Sequence, residues 1–303
     1  MLTRRQHWWI GGIGLALAVG LFAVSFGGGE EEPFHKGKSL HEWLDSLAPP
    51  GMYSDDDPNV RAIVAIGSDA VPFLMRELSV SDSPWAERFR NLWSNLGLVR
   101  RPDSAAWPRM GKAYYCLVHL GPKADSALPE LIKIAEDESH PSRFLAIELL
   151  GFIRSRPASA VPVLERMIAK SPNPHDPGCF EASIISLGRH GTNARSALAR
   201  LKEIEVDVGI PFEARVKAAS ASVSIDPTDQ QSLNFIVAEW ENTNVSRYTV
   251  VYALVGLGTN AIRALPAMRR MALSDPSIYL RESLSNSIHL LETASGTEPS
   301  HPR

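Results

Sequence analysis

The chain has 303 residues, of which 44% are apolar and 21% charged, and its formal net charge is -3. This composition supplies enough apolar side chains for one large domain or two ordinary ones, and it argues against wholesale disorder. The net charge excludes the strong basic bias of a dedicated nucleic-acid binder, and two cysteines exclude a disulfide-dense scaffold or a four-cysteine zinc site.

The chain opens with a segment typical of a membrane anchor. Arg4 and Arg5 precede nineteen uncharged residues, 8–26, which as a helix would span about 28 Å, close to the hydrocarbon thickness of a bilayer. The positive-inside rule places the N-terminus in the cytoplasm and the bulk of the chain outside it, in the periplasm. A cleaved signal peptide, which would give a secreted protein, is the alternative, although its apolar stretch is usually shorter.

A spacer and a short helix come next. Residues 27–33 read as a Gly/Glu spacer, and residues 34–54 predict a capping helix that begins after Ser39 and carries Leu40 and Leu44 on one stripe. A helix that docks a partner is the functional alternative for this segment.

From residue 55 to residue 291 the sequence has a helical pattern that repeats. The repeated motif is A-[VL]-P-x-[LM], with two degraded copies. Its central positions, called anchors below, are Pro72, Pro129, Pro162, Ala199, Asn234 and Pro266. Their spacings are 57, 33, 37, 35 and 32 residues, and the last four fall in the range of helical-repeat arrays. The long first spacing predicts a helical insertion over residues 79–107.

An [LI]-G pair precedes most anchors and predicts where the first helix of each pair ends. Glycine adopts the left-handed conformation that stops a helix, and proline suits the first turn of the next one. The glycines of these pairs are Gly67, Gly121, Gly151, Gly188 and Gly258. Each unit is therefore predicted to consist of helix A, a glycine stop, a short turn and helix B. Such a hairpin buries its apolar face only by stacking on its neighbours.

These units resemble HEAT repeats, in particular the short HEAT-like repeats of phycobilin lyases. The matching features are the paired helices, the glycine stops, the proline openings and an early arginine in helix A, at Arg143, Arg215 and Arg247. The resemblance implies an all-α right-handed superhelix, a HEAT/armadillo-like solenoid, over residues 34–291, after an N-terminal transmembrane helix. A disordered tail is predicted over residues 292–303. The lead-in at residues 34–44 is also similar to that of membrane-anchored bacterial HEAT-repeat proteins of unassigned function.

Two sets of basic residues predict a binding surface. The insertion interleaves aromatic residues with Arg88, Arg90, Arg100 and Arg101, a combination typical of interface hot spots. The fourth residue after the anchor is basic in four of six units, as Arg76, Lys133, Arg166 and Arg270. The resemblance implies that the B helices line the concave surface, so these four would form a partly basic inner ridge. The alternatives are a helix that only packs on the array and ordinary solvated charges.

The sequence carries no motif of an enzyme, a cofactor site or a metal site. Cys116 and Cys179 fall in different units, too far apart to form a disulfide. The leading prediction is a non-enzymatic, membrane-tethered scaffold or adaptor that binds a protein partner through the solenoid surface, without a cofactor and without nucleic acid. Two alternatives stay open: a lyase-like or other covalent-modifying enzyme, and a polyanion-binding module that uses the basic ridge.

Overall fold

The structure, a computed structural model, describes residues 31–48, 56–79, 106–172, 177–242 and 246–295. The predicted membrane segment at residues 8–26 and most of the insertion lie outside these ranges. Within them no single helix has the length and apolar character needed to cross a membrane. One pair, Arg247–Gly256 with Gly258–Ser274, passes by length and composition together but is bent by 116° at its break.

The described chain begins with a small hairpin and a short helix. Strand β1 (Phe34–His35) pairs antiparallel with β2 (Lys38–Ser39), and helix α1 (Leu40–Asp45) follows directly. Leu40 and Leu44 of α1 are buried, so the predicted apolar stripe of this helix packs inward.

The remaining helices pair as predicted, with an A helix followed by a B helix. The A helices are α2 (Pro58–Ile66), α4 (Ala106–Leu120), α6 (Arg143–Phe152), α8 (Pro177–Arg189), α10 (Phe212–Ile225), α12 (Arg247–Gly256) and α14 (Ile278–Ser295). The B helices are α3 (Val71–Leu78), α5 (Leu128–Glu136), α7 (Pro157–Ile168), α9 (Leu198–Val206), α11 (Gln230–Ala238) and α13 (Leu265–Ser274). Successive A helices pack side by side, for example α6 on α8 and α8 on α10. An all-α array of helix pairs is thereby confirmed.

The glycine stops are confirmed in three of five units. Left-handed glycines with φ of 79°, 50° and 51° stand at Gly67, Gly121 and Gly258, and each begins a 3-10 segment that leads into helix B. Gly151 and Gly188 lie inside α6 and α8 instead, and the prediction of a stop there is wrong. In the fourth unit the left-handed residue is Gly191, with φ of 54°.

The two misassigned glycines allow close approach between neighbouring A helices. A Cβ atom on Gly151 would lie 2.6 Å from Ser186 Oγ and 2.7 Å from Ser186 Cα, and one on Gly188 would lie 3.0 Å from Ala221 Cα. The Ser186 hydroxyl donates a hydrogen bond of 2.9 Å to the carbonyl oxygen of Ile147 across this contact. These glycines therefore set the spacing of α6, α8 and α10.

Arginine side chains join successive units by bonding to the C-terminal carbonyls of B helices. Such carbonyls have no partner within their own helix. Three arginines donate from Nε to a backbone carbonyl oxygen: Arg143 to Ala135 at 3.0 Å, Arg200 to Ile168 at 2.8 Å, and Arg215 to Glu205 at 2.9 Å. Each accepting carbonyl belongs to the sixth residue after an anchor. Two of the early arginines of helix A thus connect their unit to the preceding one, whereas Arg247 pairs with the Asp275 carboxylate at 3.2 Å.

The buried apolar side chains form two clusters that meet at α10. The N-terminal cluster runs from Leu40 to Ile225, and the C-terminal cluster runs from Val216 to Leu291. Helix α10 contributes Ala218 to the first and Val223 to the second. Helix α10 therefore contributes side chains to both parts of the core.

A buried ionic cluster occupies one core position. Glu205 of α9 is the sixth residue after its anchor, a position that is apolar in the other units. Its side chain is 2% exposed. Ser232 Oγ donates to Glu205 Oε2 at 2.5 Å, and Lys202 Nζ lies 2.6 Å from Asp229 Oδ2 and 3.4 Å from Glu205 Oε2. Burial by itself raises the pKa of Asp229, but the hydrogen bonds from Lys202 and Ser232 outweigh it and hold that pKa below its usual value. The cluster ties α9 to α11.

Candidate functional site

A cleft lies between α1 and α3 at the N-terminal end of the array. It encloses about 370 Å³, and its walls are formed by the apolar side chains of Leu40, Leu44 and Phe73 and by the polar side chains of Glu32, His41, Arg76 and Glu77. A smaller space of about 60 Å³ continues from it toward α4, where Asp45, Arg109 and Lys112 line the wall. The cleft thus combines an apolar surface with several titratable groups.

Local sequence signals fix the helix that carries one wall of the cleft. Ser39 Oγ accepts the N–H of Glu42 at 3.3 Å, and the Glu42 carboxylate accepts the N–H of Ser39 at 2.7 Å, which is a capping box. Trp43 Nε1 donates to the His35 carbonyl at 3.1 Å. Left-handed residues at Lys36 and Gly37 turn the hairpin that makes this contact possible.

His41 projects at the mouth of the cleft beside a carboxylate. Its Nε2 lies 3.5 Å from Asp45 Oδ2, one helical turn further along α1, and the two side chains are 59% and 71% exposed. The backbone N–H of His41 donates to Glu32 Oε1 at 2.6 Å, which places the Glu32 carboxylate beside the first turn of α1. The imidazole is therefore positioned by its helix and remains open to solvent.

Two arginines flank the cleft, Arg76 on α3 and Arg109 on α4, and their guanidinium groups make different contacts. Arg109 makes a bidentate pair with Glu77 at 2.5 and 2.6 Å, and this hydrogen-bonded carboxylate raises the pKa of Arg109. The Arg76 guanidinium lies over the Phe73 ring at 4.3 Å and has no carboxylate partner among the described residues. Arg76 is thus the guanidinium of the cleft that is available to an anionic ligand.

The cleft therefore holds two groups that proton transfer on an anionic ligand requires, the Arg76 guanidinium and the His41 imidazole. A guanidinium binds carboxylate or phosphate through charged hydrogen bonds, and an imidazole accepts and releases a proton near neutral pH. The apolar walls would take the body of such a ligand, because pockets for small molecules are mostly apolar with few convergent polar groups.

The four residues of the predicted basic ridge lie on four different B helices. Arg76 lines the cleft, whereas Lys133, Arg166 and Arg270 are exposed on α5, α7 and α13 and do not line it. Arg166 forms an ion pair with Glu136. Glu203 and Ala238 occupy the same register in α9 and α11. Arg88, Arg90, Arg100 and Arg101 of the insertion lie outside the described residues, so their part in a binding surface stays a prediction.

Sequence reasoning did not find His41, Asp45, Glu32 or Glu77 as site residues. Their only signal was the Ser39 cap, which fixed the start of α1 but not what the helix would face. The cleft is lined by residues of α1 and of α3, which are about thirty residues apart in the chain. The two cysteines give no site, since both are free and buried, and burial raises the pKa of the Cys116 thiol to about 12.

The chain was compared with known protein families, with curated proteins and with solved structures. No family model and no curated protein matches. One similar structure is the complex of CpcE and CpcF of phycocyanin lyase from Nostoc sp., with 19% sequence identity and a TM-score of 0.48. The match covers 88% of this chain and 99% of the other.

This comparison corrects two predictions made from the sequence. The similar structure is that of a lyase, so the prediction of a non-enzymatic scaffold and the prediction that the protein is not an enzyme are wrong on this finding. The comparison assigns no reaction, substrate or partner to this chain.

Proposed function

We propose that the protein is a lyase-type enzyme and that the cleft between α1 and α3 is its active site. One observation carries the proposal: among the described residues, this cleft is where a cavity, a histidine beside a carboxylate and an unpaired guanidinium coincide. Elimination or addition next to an anionic group needs these components, because the anion must be held and a proton must move.

Each residue of the cleft has a separate role in this proposal. Arg76 binds the anionic group of the substrate, and Leu40, Leu44 and Phe73 contact its apolar part. His41 transfers the proton, and Asp45 orients the imidazole. Arg109 holds Glu77 in place and keeps that carboxylate away from Arg76.

Binding of an amphipathic anion tests the first role. Anilinonaphthalene sulfonate has an apolar ring system and one sulfonate, so it matches the walls of the cleft and Arg76. We expect Arg76→Gln to weaken its binding by about tenfold or more, since a charged hydrogen bond contributes about 1.5–3 kcal/mol. Fluorescence titration of the full-length protein measures this. Lys133→Gln is the matched control, because Lys133 is equally exposed at the same register of α5, and it should leave binding unchanged.

Turnover tests the role of His41. The wild-type protein and His41→Asn are incubated with a small-molecule extract, and mass spectrometry identifies compounds that are consumed. We expect the wild type alone to convert an anionic compound, while His41→Asn still binds the fluorescent anion. Equal conversion by both proteins, or equal binding by Arg76→Gln and Lys133→Gln, would refute the assignment of the active site.

We also propose that residues 8–26 tether the protein to a membrane, with the array outside the cytoplasm. The uncharged run behind Arg4 and Arg5 supports this. Alkaline carbonate extraction should leave the full-length chain in the membrane pellet, because a spanning helix is not released when ionic contacts are broken. A soluble product that begins near residue 28 would instead establish the cleaved signal peptide.

We further propose that the protein binds a protein partner and that the array winds as a right-handed superhelix. The combination of aromatic residues and arginines in the insertion supports a partner site there. Arg100 and Arg101 are its proposed contacts, together with Arg88 and Arg90.

A further inference from the structure

The C-terminal end of the array exposes an unusual amount of apolar surface. Eleven large hydrophobic side chains are exposed among the described residues, and seven of them lie between residues 248 and 290. They are Tyr248, Tyr252, Ile262, Leu273, Ile278, Tyr279 and Leu290. Three of the seven, Ile278, Tyr279 and Leu290, lie on α14, the last helix that the structure describes. Large apolar side chains exposed together on one element are typical of an interaction surface.

The last helix of the described array has no helix B behind it. Helix α14 packs on α13 and α12, and the described residues end with it. A cavity of about 470 Å³ remains beside it, between Val255 and Thr259 on one side and Ser283, Asn286 and Leu290 on the other. Leu290 is 69% exposed at the rim of this cavity. At the other end of the array, α1 covers the first unit.

The exposed face of α14 carries a carboxylate and an imidazole that can pair with each other between two copies of the face. Its residues are Tyr279, Glu282, Asn286, His289, Leu290 and Thr293, all exposed, and none of them is a lysine or an arginine. Arg281 turns away from this face and donates to the Asp275 carbonyl at 2.7 Å. Glu282 and His289 are seven residues apart, or two helical turns, so they stand on the same side of the helix with Asn286 between them.

We propose that a second copy of this chain docks on this face, with the two α14 helices antiparallel about a two-fold axis at Asn286. In this arrangement Glu282 meets the partner's His289, and each such contact occurs twice because the interface is isologous. The partner's Leu290 lies against Ser283 and Asn286 and fills the cavity beside them. A parallel arrangement would instead place Glu282 against the partner's Glu282, which is repulsive. The pairing of acceptor with donor therefore selects the antiparallel dimer.

The oligomeric state of the full-length protein in detergent tests the proposal. Light scattering after size-exclusion chromatography should give the mass of two chains. We expect Leu290→Glu and Glu282→Lys each to raise the dissociation constant of the dimer by about tenfold or more, because each puts a charge against an apolar or basic group. The double variant Glu282→Lys/His289→Glu exchanges the two partners, so it should recover the dimer that Glu282→Lys loses.

Two controls keep the result interpretable. Glu130→Lys makes the same charge change on the exposed surface of α5, away from α14, and should leave the dimer intact. Circular dichroism shows whether each variant is folded. A full-length protein that is monomeric at about 100 µM, where a dimer with a dissociation constant of about 10 µM would form, overturns the proposal. So does a dimer that neither Leu290→Glu nor Glu282→Lys weakens, because its contacts would then lie elsewhere.

Discussion

Replacing Gly151 by alanine should destabilise the array, although alanine is normally the better residue in a helix. The new methyl group would lie within 2.7 Å of Ser186 Cα, which is backbone and cannot rotate away. Helices α6 and α8 would have to separate, and overpacking of this kind costs about 1–3 kcal/mol. Urea unfolding followed by circular dichroism measures the change in the free energy of unfolding.

Gly256→Ala is the matched control for this prediction. Gly256 is also in an A helix, and a Cβ atom built on it meets nothing within 4 Å. Alanine should therefore leave the free energy of unfolding unchanged or increase it by up to about 1 kcal/mol. If Gly151→Ala had the same effect as Gly256→Ala, the close approach of α6 and α8 would not be a property of the folded protein.

Removal of the Lys202 ammonium should cause the second large loss of stability. In Lys202→Met the Glu205 carboxylate stays buried and the Asp229 carboxylate stays nearly so, without their cation. Breaking a buried pair by removing one partner costs about 3–5 kcal/mol, and we expect about 3 kcal/mol here because Lys202 is 32% exposed. Urea unfolding at neutral pH measures it.

Two measurements distinguish the loss of the buried Lys202 cation from a general loss of positive charge. One is a variant in a surface ion pair, and the other is the pH dependence of stability. Arg166→Met breaks the exposed pair with Glu136, whose side chains are 61% and 47% exposed, so it should cost at most about 1 kcal/mol. The pKa of Asp229 is lowered in the folded state, so its contribution to stability is complete above about pH 4 and is lost as the pH falls further. The difference between wild type and Lys202→Met should therefore shrink in acid. A difference that is independent of pH would contradict this origin.

The repeat pattern predicted the helical pairs because both depend on local signals. Pro72, Pro129 and Pro266 stand in the first turn of their B helices, as the motif indicates. Pro162 instead lies inside α7, which begins at Pro157, so the proline opening predicted there is wrong. The glycine stops were predicted less well, because glycine has two uses in such a fold. At Gly67 it allows a left-handed turn, and at Gly151 it allows a neighbouring helix to approach. Both positions carry an [LI]-G pair, but their distance from the anchor differs. Gly121, Gly191 and Gly258 stand eight residues before their anchors, whereas Gly151 and Gly188 stand eleven before theirs.

The candidate site could not be predicted for a different reason. The cleft joins Glu32 and His41 from one segment to Arg76 and Glu77 from another, and no spacing in the sequence reports that contact. The register of the B helices did predict that Arg76 is exposed. It gave no information that Arg76 would share a cleft with α1, whereas the other residues of the basic ridge do not line that cleft. Glu205 was missed because its position in the register predicts an apolar residue.

The shared position of α10 has a consequence for how the array folds. A repeat array behaves as a chain of coupled units, and its cooperativity depends on how strongly neighbours are joined. Here one set of buried side chains extends from Leu40 to Ile225 and a second from Val216 to Leu291, so we expect two cooperative blocks in the described chain and not one block per unit. We expect the block from α11 to α14 to open while the first stays closed, which would expose the Val223 side of α10 to water. A mutation in α10 would be felt by both blocks, and one beyond it only by the second.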